Sequence, residues 1–125
     1  MNSFFLILLM IFCHIVDDYY LQGWLASANQ SDWWKKNSPS KLYEYDYLCA
    51  LTVHSFSWSF MIMLPAAFQL QFNIPNIWYF MFIINFIIHM IVDNEKANRK
   101  TINLWVDQII HFFQIIITGF IFVVR

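Results

Sequence analysis

The sequence predicts an all-α membrane protein, a bundle of four transmembrane helices. The chain has 125 residues, of which 60% are hydrophobic and 12% are charged, whereas about a quarter of a soluble domain is charged. A chain this short cannot hide so much apolar surface in a core of its own, so lipid must cover it. Four stretches each approach the length of about 20 residues that crosses a bilayer as a helix.

The four predicted spans form a single domain over residues 1–125. The first span covers about residues 3–22, and the second covers about residues 46–67, with Pro65 expected to loosen its end. The third begins just after Pro75 and covers about residues 76–94, and the fourth covers about residues 102–124. The sequence ASA at residues 26–28 is typical of a signal-peptidase site, but no basic residue precedes the first apolar run. We therefore expect the first span to remain in the protein.

Basic residues predict how the bundle is oriented. Six of the seven Lys and Arg residues lie in the first and third connections between spans: Lys35, Lys36, Lys41, Lys96, Arg99 and Lys100. By the positive-inside rule we expect both connections to be cytoplasmic and both termini to lie on the outer side. The net charge of −1 gives no basic field, which excludes nucleic acid as a class of partner. The expected partner is membrane lipid.

Ionisable residues inside the spans occur at helical spacing. Three spans each carry a His and an Asp four residues apart, and the second span adds a further His, giving His14 and Asp18, His89 and Asp93, Asp107 and His111, and His54. Residues four apart lie on one face of a helix, and the rise of 1.5 Å per residue brings all of them within about 15 Å of the cytoplasmic boundary. Ionisable groups are costly in lipid, so a set at one depth indicates a functional site. Asp17, rotated about 100° from Asp18, is instead expected to cap the helix or reach the interface.

Neutral His and ionised Asp are good ligands for Zn²⁺, Mn²⁺ or Fe²⁺, and the core of a helix bundle is a common place for such sites. We expect one or two divalent ions, zinc being favoured, with all seven residues as candidate ligands: His14, Asp18, His54, His89, Asp93, Asp107 and His111. Asp18 and Asp107 are also the expected catalytic carboxylates, as bases toward a metal-activated water. Without metal, the same set predicts a buried proton relay. Cys13 and Cys49 are interpreted as small buried hydrophobic residues.

Three segments, HIVDDYYLQGWLA, HMIVDNEK and LWVDQIIH, resemble the signatures of the DUF3307 family of small bacterial and phage membrane proteins. That pattern reads approximately H-x3-D-[FY]-x-L-Q, H-x3-D-x2-K and D-Q-x2-H in the first, third and fourth spans. His54 matches the histidine of the second span, and Trp58 stands where some members carry a second histidine. The resemblance implies a four-helix bundle in a bacterial inner membrane. A looser similarity to YdjM-type membrane proteins implies metal-dependent hydrolysis.

Three functions are compatible with this sequence. The first is a metal-dependent hydrolase that acts on a lipid or lipid-linked phosphate, and the second is a carrier or channel for metal ions or protons. The third is a binding or scaffolding subunit whose metal only holds the bundle together. Trp24, Trp33 and Trp34 are interpreted as an aromatic belt, with an interfacial lid as the alternative. Gly119 is the one glycine in the spans, so a homodimer, slightly favoured, would associate through aromatic faces.

Overall fold

The computed structural model describes residues 1–124, and every regular element among them is helical. The elements are α1 (Ser3–Val16), a π-helical turn (Asp17–Leu21), α2 (Leu25–Ala28), α3 (Ser31–Asn37), a 3₁₀ turn (Lys41–Tyr43), α4 (Asp46–Gln69), α5 (Asn76–Asn94), a second π-helical turn (Glu95–Arg99) and α6 (Leu104–Val123). Four of the helical stretches, containing α1, α4, α5 and α6, are long and apolar enough to cross a membrane. The predicted all-α fold with four membrane-spanning helices is confirmed.

The four long helices form a closed ring. Helix α1 packs against α4 and α6, and α5 packs against the other sides of α4 and α6. Pro65 lies inside α4, which continues to Gln69, so the expected loosening at this proline is wrong. Pro65 is buried in the bundle, and packing against neighbouring helices maintains a helix across the hydrogen bond that a proline removes.

Apolar side chains fill one half of the ring. Leu6 and Met10 of α1 pack with Ile62 and Met63 of α4 and with Ile115 of α6, and all five are fully buried. Outside the ring the surface is also apolar, with many large hydrophobic side chains exposed. In water such a surface would be costly, whereas lipid solvates it well.

The two cysteines lie in different environments. Cys13 is buried, as expected, but Cys49 is exposed, so the expectation of burial is wrong for Cys49. It faces outward from α4 beside an apolar surface crevice that is also lined by Trp24 and Trp34. Both thiols are free.

The connection between α1 and α4, residues 22–45 with α2, α3 and the 3₁₀ turn, forms a small cap at the end of the ring where α1 ends and α4 begins; we call this end the loop end. Asn98 joins the cap to the turn after α5, because its amide donates to the carbonyl of Asn29 at 3.0 Å and its Oδ1 accepts from the backbone N–H of Ser31 at 2.7 Å. Lys100 donates to Asp32 Oδ2 at 2.8 Å, which lowers the pKa of Asp32 below its usual value. The cap is therefore fastened to the second π-helical turn.

The three tryptophans of the cap pack against each other. Trp24, Trp33 and Trp34 make edge-to-face contacts with ring centroids 5.1 to 6.0 Å apart, an arrangement that aromatic rings favour. Trp34 also donates its indole N–H to the carbonyl of Ala28 at 2.6 Å. They form one aromatic cluster beside the loop end.

Candidate metal centre

Polar side chains from all four long helices meet inside the ring at the loop end. The predicted residues lie near the end of α1, in the first half of α4, near the end of α5 and near the start of α6. These residues are almost completely buried in the bundle. The exposed fraction is 0% for His14, His89, Asp107 and His111, 2% for His54, 3% for Asp93 and 9% for the Asp18 side chain. The alternating directions of the helices place these positions at one level.

Two groups of three side chains have donor atoms close enough to hold a metal ion. The first comprises Asp18, His54 and His89, and the second comprises His89, Asp93 and His111. Within each group the donor atoms all lie within 4.8 Å of one another. The two groups share His89, so they form one continuous cluster.

His54 Nε2 lies at the middle of the first group. It is 3.3 Å from Asp18 Oδ1, 3.2 Å from His89 Nε2 and 3.3 Å from Asp93 Oδ2. An imidazole nitrogen carries at most one proton and can donate it well to only one of these atoms. A cation between them would satisfy all of the donors together.

His111 of the second group faces two carboxylates, those of Asp93 in the same group and of Asp107, which belongs to neither group. His111 Nε2 lies 3.2 Å from Asp93 Oδ1 and 3.4 Å from Asp107 Oδ1. On the other side of the imidazole, Nδ1 of His111 lies 3.1 Å from Gln114 Oε1. The orientation of that amide is fixed because Gln114 Nε2 donates to the carbonyl of Asn85 at 3.3 Å.

The fixed amide decides the protonation of His111. Gln114 Oε1 can only accept, so Nδ1 of His111 carries the proton, and in the neutral ring Nε2 presents a lone pair. That lone pair faces two carboxylate oxygens, of Asp93 and Asp107. Either the ring carries a second proton, or a cation lies among the three donors.

The spacing of the donors suits a small transition metal. Neighbouring donors lie 3.2 to 3.4 Å apart. In a tetrahedral site with bonds of about 2.0–2.1 Å, the ligand atoms are about 3.3–3.4 Å from one another. The residues present therefore fit a zinc-sized ion.

Asp17 lies inside the bundle, so the expectation that it caps the helix or reaches the interface is wrong. Its exposed fraction is 1%. Ser57 donates to Asp17 Oδ1 at 2.5 Å, and Asp17 Oδ2 lies 3.7 Å from His54 Nδ1. Asp17 contacts Ser57 and His54 of α4, which packs against α1, so Asp17 is buried even though it does not share the α-helical spacing of His14 and Asp18. A carboxylate behind a ligating His is a common support of metal sites.

His14 lies beside the two groups rather than in them. Its Nδ1 accepts from the indole N–H of Trp58 at 2.7 Å, and its Nε2 lies 3.0 Å from Gln108 Oε1. Gln108 in turn donates to Asp107 Oδ2 at 3.0 Å. Both ring nitrogens of His14 thus have partners that connect it to the cluster.

Trp58 is the buried residue that sequence reasoning left without a role. It is fully buried and stacks on His89 with ring centroids 4.1 Å apart. It occupies the space between His89 and His14, where it also donates its indole N–H. Two sequence signals pointed to this position: Trp58 lies four residues after His54, on the same face of α4, and it stands where some family members carry a second histidine.

Several buried oxygens in the cluster lack hydrogen-bond partners. Asp18 Oδ1 and Asp107 Oδ1 are both buried without one. Lys96 lies nearby, with its Nζ 2.9 Å from Asp107 Oδ2 and 3.9 Å from Asp93 Oδ1. Unpaired carboxylate oxygens are costly away from water, so the cluster is short of positive charge.

A cavity of about 120 Å³ gives access to the cluster. Asp18, His54 and Asp93 of the cluster line it together with Lys96 and Gln22. A larger groove of about 530 Å³ runs along α1 and α6. The cavity and the groove share three lining residues, Tyr19, Leu104 and Gln108. The cluster is therefore connected, through the cavity, to an apolar groove on the lipid-facing surface.

A short polar ladder extends from the cluster toward the opposite end of the bundle. Beyond His111 it consists of Gln114, Asn85 and Thr118, with Asn85 Nδ2 donating to Thr118 Oγ1 at 2.9 Å. The buried residues that follow are the apolar ones of the core cluster. The ladder ends inside the bundle.

The fold and this cluster define a small multi-pass membrane protein whose His and Asp side chains could hold a metal ion. A family model described as "Protein of unknown function (DUF3307)" matches residues 5–125. The chain belongs to the DUF3307 family, which confirms the resemblance seen in its motifs. No curated protein and no solved structure matches the chain.

Proposed function

We propose that this protein is a metal-dependent hydrolase that acts on a lipid or lipid-linked phosphate within the membrane. The observation that carries the proposal is the connection between the donor cluster, the small cavity and the apolar groove along α1 and α6. A reacting head group in the cavity would face Asp18, His54 and Asp93 while its chain lay in the groove. By the positive-inside rule we expect this entrance to lie on the cytoplasmic side.

The metal is the part of the mechanism that the donor set supports best. Its ligands would be drawn from Asp18, His54, His89, Asp93 and His111. A bound zinc ion supplies a Lewis acid and makes a water molecule more acidic. Asp18 lies on the cavity wall and is the most exposed of the carboxylates, so it is suited to accept the proton of the attacking water.

The groove supports a substrate with an apolar chain. Its volume of about 530 Å³ is within the range of about 300–1,000 Å³ that small-molecule sites span. Ile15, Trp105 and Phe112 line it, and Gln108 connects it to the cluster. Lys96 on the cavity wall would pair with an anionic head group.

The same observations favour hydrolysis over the two alternative functions. A carrier or channel needs a polar path to the opposite side, but the ladder ends at Thr118 against the apolar core. A purely structural ion would need no cavity beside its ligands, because structural sites are closed and catalytic sites keep an open position. The cavity lined by Asp18 and Asp93 supports a catalytic rather than a structural metal ion.

The test is hydrolysis by the zinc-loaded protein in lipid nanodiscs. Long-chain phosphate esters and neutral lipid esters would be compared with a water-soluble phosphate ester. We expect metal-dependent hydrolysis of the long-chain phosphate esters, lowered by at least about 10²–10⁴-fold in Asp18→Asn because the variant loses both a proton acceptor and a candidate metal ligand. Asp32→Asn is the matched control, because Asp32 lies in the cap and pairs only with surface lysines. Absence of hydrolysis across the panel, or activity that survives Asp18→Asn, would reject the proposal.

A further inference from the structure

The two oxygens of Asp93 face different parts of the cluster. Asp93 Oδ2 lies 3.3 Å from both His54 Nε2 and His89 Nε2. Asp93 Oδ1 lies 3.2 Å from His111 Nε2. A carboxylate with nitrogen donors on each oxygen is arranged as a bridge between two positions.

A single four-coordinate ion would not use all of these donors. The two groups together contain five residues, Asp18, His54, His89, Asp93 and His111, whereas a zinc site is almost always four-coordinate. An ion held by Asp18, His54 and His89 would leave His111 Nε2 between the oxygens of Asp93 and Asp107. Asp107 Oδ1 is completely buried and makes no hydrogen bond, although His111 Nε2 lies 3.4 Å from it, so this oxygen lacks a partner.

The charges of the side chains at the cluster also favour two ions over one. Four carboxylates are gathered at the cluster, those of Asp17, Asp18, Asp93 and Asp107, and Lys96 contributes one positive charge. With neutral imidazoles the total is −3, so one divalent ion leaves −1 and two leave +1. A buried negative charge would repel an anionic phosphate head, whereas a positive one would attract it.

We infer that the cluster is a two-metal centre bridged by Asp93. The first ion takes donors from Asp18, His54, His89 and Asp93, and the second takes them from Asp93, Asp107 and His111. Two-metal sites recur in enzymes that transfer phosphate, where the ions are about 3.5–4 Å apart and stabilise both the attacking and the leaving oxygen. This inference deepens the proposed function, because it specifies an anionic phosphate ester as the substrate of the same site.

The test is the number of ions and their magnetic interaction. The full-length protein in detergent is stripped with a chelator, loaded with Mn²⁺, freed of excess ion, and analysed by elemental analysis and electron paramagnetic resonance. We expect about two ions per chain with a spin-coupled spectrum, since ions of a two-metal site lie about 3.5–4 Å apart. One ion per chain at saturation, or two without spin coupling, would overturn the inference.

Two substitutions assign the ions to their groups. Asp18→Asn should remove only the first ion and Asp107→Asn only the second, each leaving one uncoupled Mn²⁺, whereas Asp32→Asn should keep both. Loss of the same single ion in both variants would mean one site and would contradict the inference. If a variant does not fold, the wild-type spectrum decides alone. Because no substrate is involved, a coupled pair without hydrolysis would reject the proposed function and leave the two-metal centre intact.

Discussion

Replacing His111 with Ala should remove metal and weaken the fold together. His111 is fully buried and contacts three polar partners: Asp93, Asp107 and Gln114. Without the imidazole, Asp93 Oδ1 loses its nearest nitrogen, and Asp107 Oδ1 loses the nitrogen that lies 3.4 Å from it. The variant therefore leaves the carboxylates of Asp93 and Asp107 buried away from water with fewer nitrogen partners to offset their charge.

The size of the effect follows from burial. Removing one partner of a buried charged pair costs about 3–5 kcal/mol, because the remaining charge keeps its desolvation penalty. Gln114 Oε1 also loses its contact with His111, and an unsatisfied buried acceptor adds about 1–3 kcal/mol. We expect a destabilisation of several kcal/mol and the loss of at least one ion.

The matched control is Phe113→Leu, two residues further along α6. Phe113 is 61% exposed on the lipid-facing side, so this change should shift stability by less than about 0.5 kcal/mol and leave metal content unchanged. Thermal unfolding in mild detergent and elemental analysis of the same samples measure both quantities. Equal metal content and equal melting temperature in the two variants would show that His111 neither binds metal nor stabilises the bundle through these contacts.

Three further substitutions distinguish residues that hydrogen-bond to the candidate ligands from residues that only pack in the bundle. Trp58→Phe removes the N–H that His14 Nδ1 accepts at 2.7 Å and should cost about 1–3 kcal/mol of unfolding free energy, with metal content unchanged. Asp17→Asn weakens the support of His54, so chelator competition should show metal affinity lowered about 10–100-fold; unchanged affinity would remove Asp17 from the centre. Gly119→Ala places a Cβ 2.7 Å from Ile7 Cγ1. The overpacking cost of about 1–3 kcal/mol should exceed the gain in helix propensity of up to about 1 kcal/mol. Unfolding of the zinc-loaded variant should therefore show a lower stability than that of the zinc-loaded wild type.

The fold was predictable because the signals for it are local. Apolar stretches of sufficient length predict spans, and Asn76 after Pro75 begins α5 where the proline ends the preceding connection. The residues of the cluster could be recognised because charge is so rare in the spans. His and Asp at four-residue spacing share a face of a helix, and the alternation of helix direction brings those faces to one level.

The contacts between helices were less predictable. Asp17 became part of the site because α4 packs on that side of α1, and helical spacing within α1 alone cannot reveal a neighbour. The spacing of four residues from His54 places Trp58 on the inner face of α4, but its contacts depend on His14 and His89 lying on either side of it. The division of donors between the two oxygens of Asp93 likewise depends on side-chain positions from three helices.

The most direct test of the central claim is the metal content of the protein as purified from membranes. Elemental analysis after size-exclusion chromatography in detergent should show at least about one transition-metal ion per chain, with zinc as the expected element. Zinc repletion followed by removal of unbound ion should bring every chain to this level, because donors spaced 3.2 to 3.4 Å apart are already assembled. Less than about a tenth of an ion per chain after repletion would show that the cluster does not bind a metal ion, because His and Asp donors assembled in the folded protein should retain zinc. The cluster would then be a proton-bearing network of His and Asp side chains.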